Sequence, residues 1–262
     1  MNRFNTLFSD SSRQVFLPFF TLGDPTPEKG LSLIKAAIDA GADALELGIP
    51  FSDPIADGPT NQRSMERALK AGMTFDKALN MIESIRAYAP DLPIGLLLYY
   101  NLMYRRGLDK AHADLAAAGV DAIVSADLPI EESEQHEASL KKHGLGAIQM
   151  IAPNTPDDRA KILFERSSAF TYVLSGFGPT GVRHEVDPRT LERVKHLRQL
   201  SDRPMVVGFG ISQPEHVQVI HQAGAHGAIV GSKFSQVIES HIDDTSQAEQ
   251  WIAGFIRNIK GR

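Results

Sequence analysis

The chain has 262 residues, no cysteine and a formal net charge of −5, with 42% hydrophobic and 23% charged side chains. At roughly 100–200 residues per domain this allows one large domain or two small ones, and α/β barrels reach about 250 residues as a single domain. The missing cysteines exclude disulfides, thiolate nucleophiles, zinc–cysteine sites and iron–sulfur clusters, and a pI near 6.0 offers no basic face for nucleic acid.

The opening stretch MNRFNTLFSDSSRQ is too polar for a secretory signal. The most apolar runs, 15–22 and 94–100, fall well short of the about 18 residues that span a bilayer. A cytoplasmic protein without membrane association is expected. The first apolar run, VFLPFFTL (15–22), is followed by PEKGLSLIKAAIDA (27–40). Pro27 near its start, the spacing of Leu31, Ile34 and Ile38, and Gly41 behind it predict a helix there.

The second run, ADALELGIP (42–50), holds Glu46 between Leu45 and Leu47. With the leucines facing a helix layer, strand alternation turns Glu46 inward. Desolvation would then raise its pKa and let it both give and take a proton near neutrality. A buried structural carboxylate held by hydrogen bonds is the other reading, and position alone does not separate them. The loop that follows, GIPFSDPIADGP, carries Asp53 and Asp57. Asp-Pro and Asp-Gly pairs organise turns, and rim carboxylates also orient polar groups of a substrate. Magnesium is set aside because Pro54 and the apolar residues around it add no further oxygen ligands, so no metal is expected.

Six more runs follow: PIGLLLYY (93–100), DAIVSADL (121–128), GAIQMIAP (146–153), AFTYVLS (169–175), PMVVGFG (204–210) and GAIVGSKF (227–234). Helix-like segments at 74–89, 107–118, 130–143, 156–167, 188–200 and 213–223 alternate with them. Eight short, nearly continuous apolar runs in alternation predict an α/β fold, a single-domain (β/α)8 TIM barrel over residues 1–262. Run starts are mostly 23–28 residues apart, but 42 to 93 is 51 and 169 to 204 is 35. The excess marks insertions at about 51–73 and 176–187, on the face where barrel enzymes build active sites.

Gly176-Phe177-Gly178-Pro179-Thr180-Gly181 is a literal G-x-G-x-x-G, but Val182–Asp187 is a polar loop rather than a helix, so it fails as a dinucleotide fingerprint. A lid whose amides approach an anion is the better reading. Gly208-Phe209-Gly210-Ile211-Ser212 and Gly231-Ser232-Lys233 close the last two runs, where this fold places a phosphate cradle. His136, His143, His196, His216 and His221 read as solvated helix residues, and no histidine pattern has metal-ligand spacing. Phe19, Leu97, Tyr99, Val124, Met150, Tyr172 and Phe209 either line an apolar pocket or fill barrel layers.

The strings PFFTLGDP (18–25), LELGIPFSDPIADGP (45–59), LLLYYN (96–101), SADLP (125–129), TYVLS (171–175), Thr180-Gly181, GFGIS (208–212) and GAIVGS (227–232) resemble, in order, the tryptophan synthase alpha subunit family. That resemblance implies reversible retro-aldol cleavage of indole-3-glycerol phosphate to indole and glyceraldehyde 3-phosphate. It implies Glu46 as acid/base, Asp57 as acceptor of the indole N–H, and Tyr172 beside the glycerol. Phe19, Leu97, Val124, Met150 and Phe209 would enclose the indole; Thr180, Gly181, Phe209, Gly210, Gly231 and Ser232 would hold the rest of the substrate, chiefly its phosphate. No cofactor is implied in this chain. Indole would pass to a pyridoxal-phosphate-containing beta subunit in an αββα complex, with Pro50, Phe51, Asp53, Pro54, Tyr99 and Asn101 in partner-facing segments. Gly176, Pro179 and Lys233 depart from the residues common at their places, and Lys233 would either touch phosphate or point to solvent. A stand-alone lyase and a noncatalytic activating partner are the alternatives.

Overall fold

The computed structural model describes residues 2–10, 13–175, 186–208 and 210–261. Among them the apolar runs form nine strands: β1 Val15–Thr21, β2 Leu45–Gly48, β3 Ile94–Leu98, β4 Ala122–Ser125, β5 Gly146–Ala147, β6 Gln149–Ile151, β7 Thr171–Leu174, β8 Met205–Gly208 and β9 Gly227–Val230. All pair in parallel, in the order β5-β4-β3-β2-β1-β9-β8-β7-β6. The two ends of that sheet, β5 and β6, are separated only by Ile148, so one strand passes its pairing from β4 to β7 and the sheet closes. At the changeover the Ala147 and Gln149 amides donate to the Ser168 and Ser167 hydroxyls, which satisfies groups the ladder leaves over. The fold is a (β/α)8 TIM barrel whose fifth strand is split.

Burial divides along each strand with the expected period of two. Phe16, Phe20, Leu45, Leu47, Leu96 and Ile123 belong to the layer between sheet and helices. Val15, Leu17, Phe19, Leu97, Val124, Tyr172, Val206 and Ile229 fill the barrel itself as a separate cluster. Glu46, with Leu45 and Leu47 pointing outward, therefore points in.

Helices Pro27–Asp39, Phe75–Tyr88, Leu108–Ala118, Asp157–Arg166, Pro188–Leu200 and Pro214–Gln222 fall within a residue or two of the expected segments. Local chemistry sets several of their ends. Thr26 and Thr74 cap by accepting the Lys29 and Lys77 amides, and Gly119 ends its helix at φ +102, a left-handed conformation that favours glycine. Segment 130–143 instead splits into a short 3-10 turn, Ile130–Glu132, and helix Glu134–Lys142.

Four differences from the sequence reading bear on function. The run 227–234 stops as a strand at Val230, because Gly231 caps helix Ser232–Ser240 and Phe234 and Ile238 are buried one turn apart. The insertion at 51–73 contains helix Pro59–Lys70. The run 93–100 stops as a strand at Leu98, and Tyr100 and Asn101 open helix Tyr100–Arg106. His136 and His216 are buried rather than solvated, each on the inward face of its helix.

Helix Arg3–Leu7 sits under the end of the barrel where the strands begin. Phe4 packs on Phe170 at 5.2 Å and Phe8 on Phe170 at 5.9 Å. Asp121 anchors this end, accepting from Arg3 and Arg86 at 2.8 Å each and from the Ile94 amide at 2.9 Å. Removing a buried carboxylate leaves its partner charge and amide unpaired, so Asp121→Ala should lower the unfolding free energy by about 3 kcal/mol in denaturant titrations. Turnover at the opposite end of the barrel, measured below the melting range, should stay within about twofold of wild type.

Candidate active site

At the C-terminal ends of the strands a cleft of about 510 Å³, counting space open to solvent, is lined by Glu46, Asp57, Asn61 and Tyr172 among its polar groups and by Phe19, Leu97 and Ile229 among its apolar ones. Glu46 stands in register with Phe19 of β1 and Gly95 of β3 and is 2% exposed. Its Oε1 has no hydrogen-bond partner among the described residues. Burial, with a smaller contribution from the charge of Asp57, pushes its pKa up to about 8. Such an acid is poised to hold a proton at neutral pH and to release it in a reaction.

Asp57 comes from the loop after β2 and is held on both oxygens. The Tyr99 hydroxyl donates to Oδ2 at 2.6 Å and the Asn61 amide donates to Oδ1 at 3.2 Å. Burial raises its pKa, while these two hydrogen bonds favour the carboxylate and oppose the rise. Tyr99 in turn accepts the Ala56 amide at 3.1 Å and stacks on Phe51 at 5.0 Å, so the loop is clamped to the end of β3. Burial and the Asp57 charge push the Tyr99 phenol far up, which keeps it a donor.

Tyr172 rises from β7 across Gly208, where an added Cβ would lie 2.1 Å from its hydroxyl oxygen. Only glycine admits that approach. Its phenol is also shifted upward, by burial first and then by the charges of Glu46 and Asp57. On the other side of the cleft, Gly210 adopts φ +73 and Gly231 and Ser232 open helix Ser232–Ser240 without a side-chain cap. First-turn amides without a cap and the positive end of the helix dipole favour an anion there.

Of the residues expected to hold substrate, Phe19, Leu97, Tyr172, Gly210, Gly231 and Ser232 line this cleft. Val124 lies in the barrel interior and Met150 packs against it, outside the cleft lining. Thr180, Gly181 and Phe209, like Gly176 and Pro179, lie outside the described residues. Lys233 borders the cleft, but its ammonium sits 5.5 Å over the Trp251 ring and 3.4 Å from Gln236 Oε1. Of the residues read as partner-facing, Asp53 and Asn101 are exposed, Phe51 and Pro54 half-buried and Pro50 buried. Tyr99 corrects that reading: it is fully buried and its hydroxyl serves Asp57. Asn61 escaped notice in the sequence, although its place four residues after Asp57, behind the helix-opening Pro59, is a usable signal. Among the described residues no three His, Asp or Glu side chains are grouped to hold a metal.

A folded pKa of about 8 against 4.5 for an ordinary glutamate means that folding takes up a proton between those values. Burial of Glu46 thus destabilises the fold progressively as pH rises from about 4.5 to 8. Glu46→Gln, neutral throughout, should gain stability over wild type across that window, reaching a few kcal/mol at its top, as read from unfolding free energies at a series of pH values.

With that geometry in view, relatives are informative. The tryptophan synthase alpha chain family matches residues 5–261. The tryptophan synthase alpha chain of Methanothermobacter thermautotrophicus is 44% identical over 254 residues, 97% of this chain and 94% of that one. A solved chain from Aquifex aeolicus superposes with a TM-score of 0.89 at 32% identity, covering 100% of this chain and 98% of that one. The Pyrococcus furiosus tryptophan synthase a2b2 complex, whose structure concerns mutual activation, contains a chain with a TM-score of 0.88 at 34% identity, covering 95% and 98%. A match over nearly the whole length, joined to a barrel whose cleft sets Glu46 and Asp57 together, makes this chain a member of the tryptophan synthase alpha chain family, the lyases that cleave indole-3-glycerol phosphate.

Proposed function

We propose that Glu46 and Asp57 carry out the retro-aldol cleavage of indole-3-glycerol phosphate to indole and glyceraldehyde 3-phosphate. The observation that carries this assignment is a carboxyl with its pKa near 8 beside a carboxylate held by two donors. Glu46, protonated at neutral pH, gives its proton to the indole ring carbon that bears the glycerol chain. The ring nitrogen then carries positive charge, and Asp57, accepting its N–H, stabilises that charge. Glu46, now a carboxylate, takes the proton of the adjacent hydroxyl. The O–H electrons form the aldehyde, the carbon–carbon pair returns to the ring, and indole leaves aromatic. Glu46 ends protonated as it began.

Phe19 and Leu97 flank the ring in this reading, with Val124 and Met150 behind, and Tyr172 lies beside the glycerol. The amides at Gly210, Gly231 and Ser232 take the phosphate, and the family resemblance adds Thr180, Gly181 and Phe209. The chain acts as one catalytic domain whose insertion at 51–73 brings in Asp57. Proton transfer at carbon and oxygen is within reach of carboxyl groups, so this chain works without a cofactor, and pyridoxal phosphate belongs to the beta partner. The charged phosphate of the substrate keeps the reaction in the cytoplasm.

The partner is a tryptophan synthase beta subunit, in an αββα assembly that receives the indole. The exposed Asp53 and Asn101, together with Ile55 at 81% and Tyr104 at 68% exposure, follow the C-terminal ends of adjacent strands and offer a mixed polar and apolar surface for it. A coupled assay of glyceraldehyde 3-phosphate formation tests both claims. Glu46→Gln and Asp57→Asn should each lower turnover by at least about a hundredfold, and added beta subunit should co-elute and raise wild-type turnover. Unchanged turnover in Glu46→Gln overturns the acid/base assignment; full activity without beta subunit and no co-elution overturn the partnership.

A further inference from the structure

Asn61 is 6% exposed, lines the cleft with Glu46 and Asp57, and sits in the first turn of helix Pro59–Lys70. Both ends of its amide are used. Nδ2 donates to Asp57 Oδ1 at 3.2 Å, and Oδ1 accepts the Ser235 hydroxyl at 3.1 Å. The orientation follows from the partners: an ionised carboxylate only accepts, so the NH2 must face Asp57 and leave the carbonyl oxygen for Ser235. Ser235 belongs to helix Ser232–Ser240, and its amide closes the first turn on Gly231 at 3.0 Å. A buried chain of two hydrogen bonds thus runs from the helix whose N-terminus faces the phosphate end of the cleft to the carboxylate that faces the ring end.

We propose that Asn61 is a positioning residue that locks the Asp57 carboxylate to the helix cradling the phosphate, so that the acceptor for the ring N–H stands at a set distance from the phosphate group. This rests on the lyase reading of the site. The packing of the insertion helix supports it. Arg67, two turns along the same helix, makes a bidentate pair with Asp24 at 2.8 and 2.9 Å and also reaches Glu239 of the cradle helix at 3.0 Å. Arg63 pairs with Glu239 as well. The helix bearing Asn61 is therefore tied along its length to the helix bearing Ser235, and Asn61 extends that tie into the cleft. Among the described residues Asp57 would keep only Tyr99 without it, a single donor that leaves the carboxylate free to rotate about that bond.

The titratable groups facing Asp57 are Glu46 from β2, Tyr99 at the end of β3 and Tyr172 from β7, with Lys233 at the cleft border. Among these and Asn61, the amide and Tyr99 are the hydrogen bonds that favour ionised Asp57. Losing the amide therefore moves the acidic limb of the pH–rate profile to higher pH, as a property of the coupled Glu46–Asp57 pair.

The experiment measures steady-state cleavage of indole-3-glycerol phosphate by wild type, Asn61→Leu and Ser235→Ala, each also in an Asp57→Asn background, with thermal melts confirming the fold. Asn61→Leu should lower kcat about tenfold with KM changed less than about twofold, and Ser235→Ala should lower kcat by about threefold. Both losses should vanish in the Asp57→Asn background, and the acidic limb should shift upward only where Asp57 is present. Equal losses with and without Asp57, an unshifted pH profile, or a change confined to KM overturns the proposal. Should Asn61→Leu not fold, Ser235→Ala, which removes a single hydroxyl, carries the same comparison. Wild type that does not cleave the substrate overturns the lyase reading itself, whereas active wild type with additive variants overturns only the role of Asn61.

Discussion

A carboxyl group closed into the apolar end of a barrel is the constraint to which the other features of the cleft respond. Glu46 has Leu45 and Leu47 facing outward on either side and Phe19, Leu97 and Ile229 around the cleft it faces, so its charged form is poorly solvated. A protein selected for stability alone would place a leucine or glutamine there. Keeping the acid requires that the surrounding groups not quench it, and they do not: no lysine or arginine pairs with Glu46 among the described residues, and the charge that acts on it is the like charge of Asp57. Burial raises both carboxyls, and donors separate them. Glu46 Oε1 has none among the described residues and the group stays protonated at neutral pH, whereas Tyr99 and Asn61 oppose the rise at Asp57 and favour its anion.

The barrel separates this arrangement from the contacts that hold it together. At the strand N-termini, Asp121 gathers two arginines and an amide, and Phe4, Phe8 and Phe170 close the interior. At the strand C-termini, positions are kept small to let side chains and ligand in, with Gly208 beneath Tyr172 and Gly231 beside Phe19. Aromatic bulk enters the cleft from β1 and β7 because β2 and β8 end in Gly48 and Gly208 and Gly231 follows β9. The helix that starts at Ser232 presents uncapped first-turn amides at the same level, so an end of the helix dipole that favours an anion stands beside the aromatic side chains.

Much of the fold was legible because its signals are local. Thr26-Pro27, Thr74 and the glycines at 41, 119, 144 and 224 mark helix ends through backbone conformations that no distant contact needs to supply. The period of two around Glu46 likewise reported its direction correctly, since Leu45 and Leu47 do pack under the helices. Less legible were segments whose conformation is set by what they touch. Helix Pro59–Lys70 carries a low share of apolar residues and was legible only as part of an insertion; it is helical where its Met65 and Ala68 are buried and its arginines meet Asp24 and Glu239. Buried histidines read as solvated because helix His136 and His216 sit among polar neighbours in sequence while facing inward in space.

The sequence by itself determined the eight-unit alternation, the inward carboxyl on the second strand, the loop aspartate after it and the glycine-rich strand ends, because strand period, capping and turn chemistry act over a few residues. Tertiary structure alone decided that Tyr99 serves Asp57 rather than the surface, that Asn61 joins Asp57 to Ser235, and that Glu46 titrates near 8. Those outcomes depend on residues 42 and 174 positions apart being brought within hydrogen-bonding distance, and on how completely water is excluded between them. Closure of the sheet produces both, and no stretch of the chain contains either.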